Sequence, residues 1–277
     1  MGAGARGTGG ARGTSRRDVL RTVDAVVRDL ARWVLPVECP GCGAWDVPLC
    51  AACASALDRT PERCEEAAPR LDRMDGTAPL PVWCVAPYAG AVRGVVVRWK
   101  DHGRADLTRV LTGAVARAAA AVAPDLGAAL DGAPLLVVPV PTSPGARRRR
   151  GADLVARLAA AAADGLGAGG VVAGPAGLLA HTRRRDQAGL GARARGSNTA
   201  GTVRVRRGAL ARLHGRAGAP WVLLVDDVVT TGATLRTCAD ALAGAGVVVL
   251  GALVVAATPP PGATAAGIAR GAPATTG

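Results

Sequence analysis

Residues 221–235 read WVLLVDDVVTTGATL, and this stretch decides the fold class. An apolar run predicts a buried strand over 221–225, which ends in the two adjacent acids Asp226 and Asp227. A short loop of Thr and Gly follows, and a helix is predicted from residue 233. Strand, loop and helix in this order are typical of α/β proteins, which bind ligands at the carboxyl ends of their strands.

The loop after this strand has the chemistry of an anion-binding site. Residues 230–234 offer several backbone N–H groups and three hydroxyls at a helix N-terminus, where negative charge is favoured. Gly232 would let the backbone approach a phosphate closely. Asp226 and Asp227 could accept hydrogen bonds from two neighbouring sugar hydroxyls, or hold Mg²⁺ directly or through water. An ordinary capped turn would explain one Asp and one Thr, but not an acidic pair followed by TTGAT.

The rest of the chain predicts the same class of fold. Apolar β-branched runs alternate with Ala- and Leu-rich stretches from residue 82 to about residue 257, which favours a parallel sheet with helices on both faces. The clearest strands are predicted at 135–140, 221–225 and 247–255, and the clearest helices at 106–122, 152–162 and 233–243. The expected organisation is a disordered N-terminus (1–14), a helix (15–36), a zinc-binding module with a linker (37–80), the main domain (81–257) and a disordered tail (258–277).

Four cysteines form a pattern typical of a zinc site. Cys39 and Cys42 make one CxxC pair, and Cys50 and Cys53 make a second pair shortly afterwards. Two such turns can place four thiolates tetrahedrally around Zn²⁺, and a shell of four thiolates leaves no open position for catalysis. The alternatives are two disulfides, which are disfavoured in a cytosolic chain, or four unlinked core cysteines. We therefore expect one structural zinc.

Length and composition exclude several other classes of protein. The chain has 277 residues and a formal net charge of +13, and Lys100 is the only lysine among its 34 basic residues. Its length excludes a disulfide miniprotein, and its dense Val and Leu runs exclude wholesale disorder. No stretch of about 18 apolar residues is evident, so no membrane span is expected. Residues 15–20 resemble a twin-arginine export signal, but the charges that follow favour an ordinary helix and cytoplasmic residence.

The segment from Asp226 to Thr234 closely resembles the phosphoribosyl-pyrophosphate (PRPP) motif of type I phosphoribosyltransferases. The resemblance implies that Asp226 and Asp227 contact the ribose 2′- and 3′-hydroxyls of PRPP. It also implies that the loop holds the 5′-phosphate and that Mg²⁺ accompanies the diphosphate. The loop residues concerned are Thr230, Thr231, Gly232, Ala233 and Thr234.

An ordered set of further motifs narrows the resemblance to the ComF family of competence-associated proteins. After the cysteine pairs come YAGAVR (88–93), Trp99-Lys100, PVP (139–141), RRRRG (147–151), Gln187-x2-Leu190 and Arg195-x2-Asn198. The resemblance covers most of the chain, from about Cys39 to Val255. It implies a type I phosphoribosyltransferase-like (Rossmann-like) parallel sheet, preceded by a small zinc-ribbon-like module.

The chain departs from the family pattern at two places. Ala152, Asp153 and Leu154 stand where the family usually has an aromatic residue, Asn and Gln after the RRG. Only Cys64 and Cys84 remain where members often carry a second CxxC pair, so a single zinc is expected.

Several basic residues are candidate contacts for pyrophosphate or for a flexible loop that closes over it. They are Lys100, Arg149, Arg150 and Arg195. Arginine forks grip phosphate oxygens in pairs, although a run of four arginines in so Arg-rich a chain could equally be a solvated loop.

Two functions remain open at this stage. The first is an Mg²⁺-dependent transfer of phosphoribose from PRPP, or from a related phosphorylated ribose, to an unknown nitrogen acceptor. The second is a non-catalytic factor that handles single-stranded DNA together with the DNA-uptake machinery, as the family's association with competence and the charge of +13 suggest. Single-strand binders usually stack bases on several aromatic side chains, and this chain has five Trp, one Tyr and no Phe.

Overall fold

The structure, a computed structural model, describes residues 37–72, 76–143, 145, 152–182, 203–211 and 219–260. Six of its strands are β1 (Glu62–Arg63), β2 (Val82–Pro87), β3 (Leu135–Pro139), β4 (Ala173–Pro175), β7 (Trp221–Val229) and β8 (Val248–Ala257). They form one sheet in the order β1-β2-β8-β7-β3-β4, in which only β1 is antiparallel to its neighbour. Strands β5 (Leu179–His181) and β6 (Val203–Val205) pair as a separate antiparallel ribbon. The predicted α/β class with a mostly parallel sheet is confirmed.

Helices cover both faces of this sheet. They are α1 (Ala51–Ser55), α2 (Gly90–Asp101), α3 (Leu107–Leu130), α4 (Leu154–Ala168), α5 (Arg207–Ala211) and α6 (Ala233–Ala243). Successive side chains of a strand point to opposite faces, so the buried run in β7 serves two cores. Leu223 and Val225 pack with α2, α3 and α4, whereas Val222 and Leu224 pack with α5, α6 and the β5–β6 ribbon.

Several element boundaries differ from those that the sequence predicted, among them the end of α4 at Ala168 instead of residue 162, and two of them pass residues that usually end an element. Strand β7 continues through the acidic pair to Val229, because Val228 and Val229 still pair with Ala256 and Ala257 of β8. Helix α3 continues past Pro124, because Leu126 and Leu130 remain buried on the same face of the helix. The acidic pair would be expected to end the strand, and Pro124 would be expected to end the helix. Tertiary packing overrides both local signals.

Helix α3 also corrects the expectation that no segment is long and apolar enough to cross a membrane. It has 24 residues, and an 18-residue window within it reaches a mean hydropathy of 1.2. Forty-four per cent of that window is buried inside the fold, where Leu111, Val115 and Val122 belong to the larger core cluster. We therefore assign α3 to the core of the domain.

Residues 65–72 are more ordered than the linker expected there. They form two 3₁₀ turns, Glu65–Ala67 and Pro69–Leu71, and bury Ala68 and Leu71 against the sheet face that α6 covers. The expected N-terminal helix at 15–36, and almost all of the expected tail, lie outside the described residues.

The strand order of the sheet reverses between β3 and β7. The chain passes from β3 outward to β4 on one side and from β7 outward to β8 on the other, so the order reverses between β3 and β7. Open α/β sheets bind ligands outside the carboxyl ends of their strands at such a reversal. The loop that follows β7 lies at this position.

Candidate functional site

The four predicted metal ligands come together at the start of the described chain. The Sγ atoms of Cys39, Cys42, Cys50 and Cys53 all lie within 4.8 Å of one another. The Sγ of Cys50 is 3.7 Å from those of Cys39 and Cys42, close to the separation of about 3.8 Å that four sulfurs 2.3 Å from one ion would have. The cluster can therefore hold one metal ion, and its donor set is compatible with zinc.

Local structure prepares this cluster for a cation. Burial opposes ionisation of the Cys39 thiol, but backbone groups of Cys50, Cys42 and Gly41 bond to its sulfur and lower its pKa to about 6. Burial and the neighbouring sulfurs raise the pKa of Cys53 well above its usual range. Four crowded thiols cannot all ionise together, because their charges repel one another. A bound metal cation removes this repulsion, since metals bind the thiolate form.

The cysteine module packs directly on helix α2. Gly94 of this helix lies so close to the first CxxC turn that an added Cβ would be 2.2 Å from the carbonyl oxygen of Pro40. Beyond the helix, the Arg104 guanidinium donates to the carbonyl oxygens of Glu38 (3.3 Å) and Pro48 (2.8 Å). The module is thus joined to the helix whose last turn carries Lys100.

The predicted phosphate loop is open to solvent on one side. Thr230 and Thr231 are exposed, and Ala233 and Thr234 are half-buried in the first turn of α6. Gly232 adopts a φ of +79°, a left-handed conformation that favours glycine. The Thr231 hydroxyl accepts the backbone N–H of Ala233 at 3.4 Å, so the loop and the first helical turn form one hydrogen-bonded unit at the helix N-terminus, where an anion is favoured.

The two acids point to opposite faces of the sheet. Both carboxylates accept the backbone N–H of the following residue, at 2.8 Å for Asp226 and 2.7 Å for Asp227. Asp227 continues the face of Leu223 and Val225 and is 4 % exposed. Asp226 continues the other face, toward Cys238 of α6, and is half-buried. The acids are therefore close in the chain but differ in environment.

Lys100 binds one of these acids. Its Nζ lies 2.9 Å from both carboxylate oxygens of Asp227, and the lysine side chain remains one-third exposed. The sequence singled out Lys100 as a contact for diphosphate, and the structure brings it to the acidic pair. No local pattern indicated this partner, since the two residues are 127 positions apart.

The Asp226 carboxyl is costly to ionise. Desolvation raises its pKa well above the usual range, the charge of Asp227 adds to the effect, and Lys100 opposes it. Burial, with the charge of Asp226, raises the pKa of the Cys238 thiol to about 12. A cation or a hydrogen-bond donor from a ligand would stabilise the charged form of Asp226.

Several predicted contacts lie in the parts of the chain between the described ranges. Arg149, Arg150 and Arg195 lie outside the described residues, as do Gln187 and Asn198. Asp153, which departs from the family pattern, caps α4 by accepting the backbone N–H of Ala156 at 3.2 Å.

One neighbour of the loop was missed by the sequence analysis. Residues 68–72 lie against Gly232, and the backbone N–H of Arg70 donates to the carbonyl oxygen of Thr231 at 2.9 Å. The expected linker contained no motif that would identify this contact.

Comparison with known proteins adds no assignment, since no protein-family model and no curated protein matches the chain.

Proposed function

We propose that the chain is a ComF-like protein of the phosphoribosyltransferase type, which binds PRPP with Mg²⁺ and transfers phosphoribose to a nitrogen acceptor. The observation that supports this best is the TTGAT loop with its exposed Thr230 and Thr231, which lies at the reversal of the strand order and follows the acidic pair by two residues. The finer description of the fold, a type I phosphoribosyltransferase-like sheet, belongs to the same proposal. So do a cytoplasmic location and a single structural zinc in the four-cysteine cluster.

In this proposal the loop residues 230–234 bind the 5′-phosphate of PRPP through backbone N–H groups and hydroxyls. Asp226 meets the ribose hydroxyls first, because Asp227 is paired with Lys100. Lys100 then turns from Asp227 to the diphosphate and releases Asp227 to the sugar. The one-third exposure of the Lys100 side chain leaves it room for this movement.

In this reaction the protein positions the reactants and stabilises charge, and it does not supply a nucleophile. A nitrogen of the acceptor attacks C1 of the ribose, and the bond from C1 to pyrophosphate breaks through a transition state with oxocarbenium character. Fixed donors and cations around the diphosphate stabilise the departing charge. Mg²⁺, when bound with PRPP, supplies further neutralisation of the diphosphate. In this proposal Asp226 holds the sugar hydroxyls while this charge develops.

The alternative function in handling single-stranded DNA receives little support from the described residues. Among the aromatic residues described, Trp45 is the exposed one, at 70 %, while Trp83 and Trp99 are buried. A surface that stacks successive bases needs several exposed rings. If DNA binding does occur, affinity for a single strand should fall steeply with salt.

Calorimetric titration of PRPP with Mg²⁺ into the zinc-loaded protein tests the proposal. The wild type should release heat on binding, and the double variant Asp226→Asn/Asp227→Asn should not. Asp164→Asn, which removes an exposed acid from α4, is the matched control and should bind as the wild type does. A folded wild type that gives no heat, or a double variant that binds normally, would contradict the proposal. Release of pyrophosphate on adding nucleobases would then distinguish an enzyme from a binding protein.

A further inference from the structure

Residues 68–72, here named the covering segment, form one wall of the phosphate loop. Leu71 is 1 % exposed and lies so close to the loop that a Cβ built on Gly232 would be 2.6 Å from its Cγ. The Cβ of Ala68 lies 3.0 Å from the same position. The loop therefore rests on apolar side chains on one side, whereas Thr230 and Thr231 face solvent.

A backbone hydrogen bond fixes the orientation of the loop against this wall. The N–H of Arg70 donates to the carbonyl oxygen of Thr231 at 2.9 Å. In a trans peptide the C=O and the following N–H point in opposite directions. With the Thr231 carbonyl turned toward the covering segment, the N–H of Gly232 is directed away from that segment.

The far end of the covering segment is tied to the helix that follows the loop. The Arg236 guanidinium in α6 donates to the carbonyl oxygen of Asp72 at 3.5 Å and pairs with Asp240 at 2.7 Å. The segment thus spans from the loop to the first turns of α6. These are the two elements that contribute the N–H groups of the anion site.

We propose that the covering segment pre-organises the phosphate loop and that Leu71 is its positioning residue. The inference rests on the proposed function in that the ligand is the phosphate of PRPP. A loop held in its binding conformation before the ligand arrives loses less freedom on binding, and this raises affinity without any new contact to the ligand. Leu71 acts through Gly232 and does not itself touch the phosphate.

Two measurements on Leu71→Ala test the proposal. The first is amide hydrogen exchange of the peptide that covers residues 230–236, in the absence of any ligand. The second is calorimetric titration of PRPP with Mg²⁺. We expect faster exchange in this peptide and an affinity about tenfold lower than that of the wild type. Leu71→Met, which keeps the side-chain volume, should restore both.

Leu166→Ala and Arg70→Ala are the matched controls. Leu166 is fully buried in the core on the other face of the sheet, so its truncation lowers stability but should leave loop exchange and affinity unchanged. Arg70→Ala keeps the backbone N–H that binds Thr231 and should also behave as the wild type. Leu71→Val, a milder truncation, should shift both measurements in the same direction if Leu71→Ala does not fold.

The outcomes separate this inference from the proposed function. Unchanged loop exchange in both Leu71→Ala and Leu71→Val would overturn the covering role, whether or not PRPP binds. Altered exchange with no binding of PRPP by the wild type would leave the covering role standing and refute the proposed function. Weaker binding in Arg70→Ala with normal binding in Leu71→Ala would overturn the proposal in favour of a direct guanidinium contact.

Discussion

Lys100 and Asp227 make the ion pair that links helix α2 to the acidic end of strand β7. Asp227 is 4 % exposed, so its charge is nearly removed from water and depends on the ammonium of Lys100 for compensation. Removing one partner of such a pair costs more than removing both, because a single deletion leaves a charge buried and unpaired.

We therefore predict that Lys100→Met lowers the free energy of unfolding by about 1–3 kcal/mol at pH 7, less than for a fully buried pair because water reaches the lysine. Adding Asp227→Asn should recover most of the loss. Urea denaturation of the two single variants and the double variant measures this coupling. Arg59→Met, which breaks the exposed pair with Glu62, is the control and should cost less than about 0.5 kcal/mol. Strict additivity at Lys100 and Asp227 would contradict the prediction.

The raised pKa of Asp226 predicts that the stability of the protein depends on pH. Desolvation, followed by the charge of Asp227, raises its pKa in the folded protein, whereas in the unfolded chain its pKa is about 4. Below pH 4 the carboxyl is neutral in both states. As the pH rises from about 4 to the folded pKa, the unfolded chain ionises first, so the folded state loses stability relative to it. Asp226→Asn abolishes this penalty, although it should also impair ligand binding.

The measurement is the melting temperature of wild type and Asp226→Asn at a series of pH values from 4 to 8. The variant should match the wild type at the acidic end and gain stability over it as the pH rises. Asp240→Asn, which changes an acid with no such burial, should show no comparable divergence. A constant difference between wild type and Asp226→Asn across the series would show that the Asp226 carboxyl is not destabilised by its surroundings.

Among the secondary-structure elements, helix α2 has a double role, because it bears Lys100 at its end and packs against the cysteine module at Gly94. An added methyl at Gly94 would lie 2.2 Å from the Pro40 carbonyl oxygen, so helix and module could not keep their present separation. The contact is between backbone atoms, which cannot move aside as a flexible side chain could. Packing of the module is therefore coupled to the placement of the helix.

Gly94→Ala should lower the free energy of unfolding by about 1–3 kcal/mol through overpacking, although alanine is the better helix former. Gly167→Ala is the matched control, because it makes the same change in helix α4 at a position with no atom within 4 Å of the new Cβ. It should raise stability by up to about 1 kcal/mol. Thermal unfolding of the two variants measures both effects, and equal shifts of the same sign would argue against close docking of the module.

For the whole molecule, the cysteine module and the α/β domain share one core. Leu57, which follows α1, belongs to the same buried cluster as the side chains of α3 and α4, and Leu49 packs against it. Arg104 adds hydrogen bonds from the domain to two carbonyls of the module. If the cysteine cluster holds a metal ion, removing it should therefore lower the stability of the domain as well as that of the module.

We predict one zinc per chain, and a single cooperative unfolding transition that a chelator shifts to lower temperature. Atomic absorption measures the metal, and calorimetry with and without chelator measures the transition. Cys39→Ser should lose the metal and respond no further to chelator, whereas Cys238→Ser, which alters a cysteine remote from the cluster, should keep its zinc. Two separate transitions, of which only the lower responds to chelator, would contradict the shared core.

Features that depend on neighbours in the chain were predictable from the sequence. The CxxC pairs form a cluster because the first pair lies on a tight turn and the second on the first turn of helix α1, and helix α6 begins at Ala233 as the TTGAT pattern indicates. The parallel sheet followed from the alternation of buried runs and helical stretches. The end of β7 was placed too early, because an acidic pair looks like a strand end until pairing with β8 is known.

By itself, the sequence determined the α/β class, the four-cysteine cluster and the position of the loop after β7, since these depend on side-chain periodicity and short spacings. Only the tertiary structure decided that Asp226 and Asp227 face opposite sides of the sheet, that Lys100 binds Asp227 and that Leu71 lies beneath Gly232. Each of these contacts depends on how far a strand extends or how a distant segment packs. That is decided by the burial of apolar side chains throughout the domain, which no local pattern encodes.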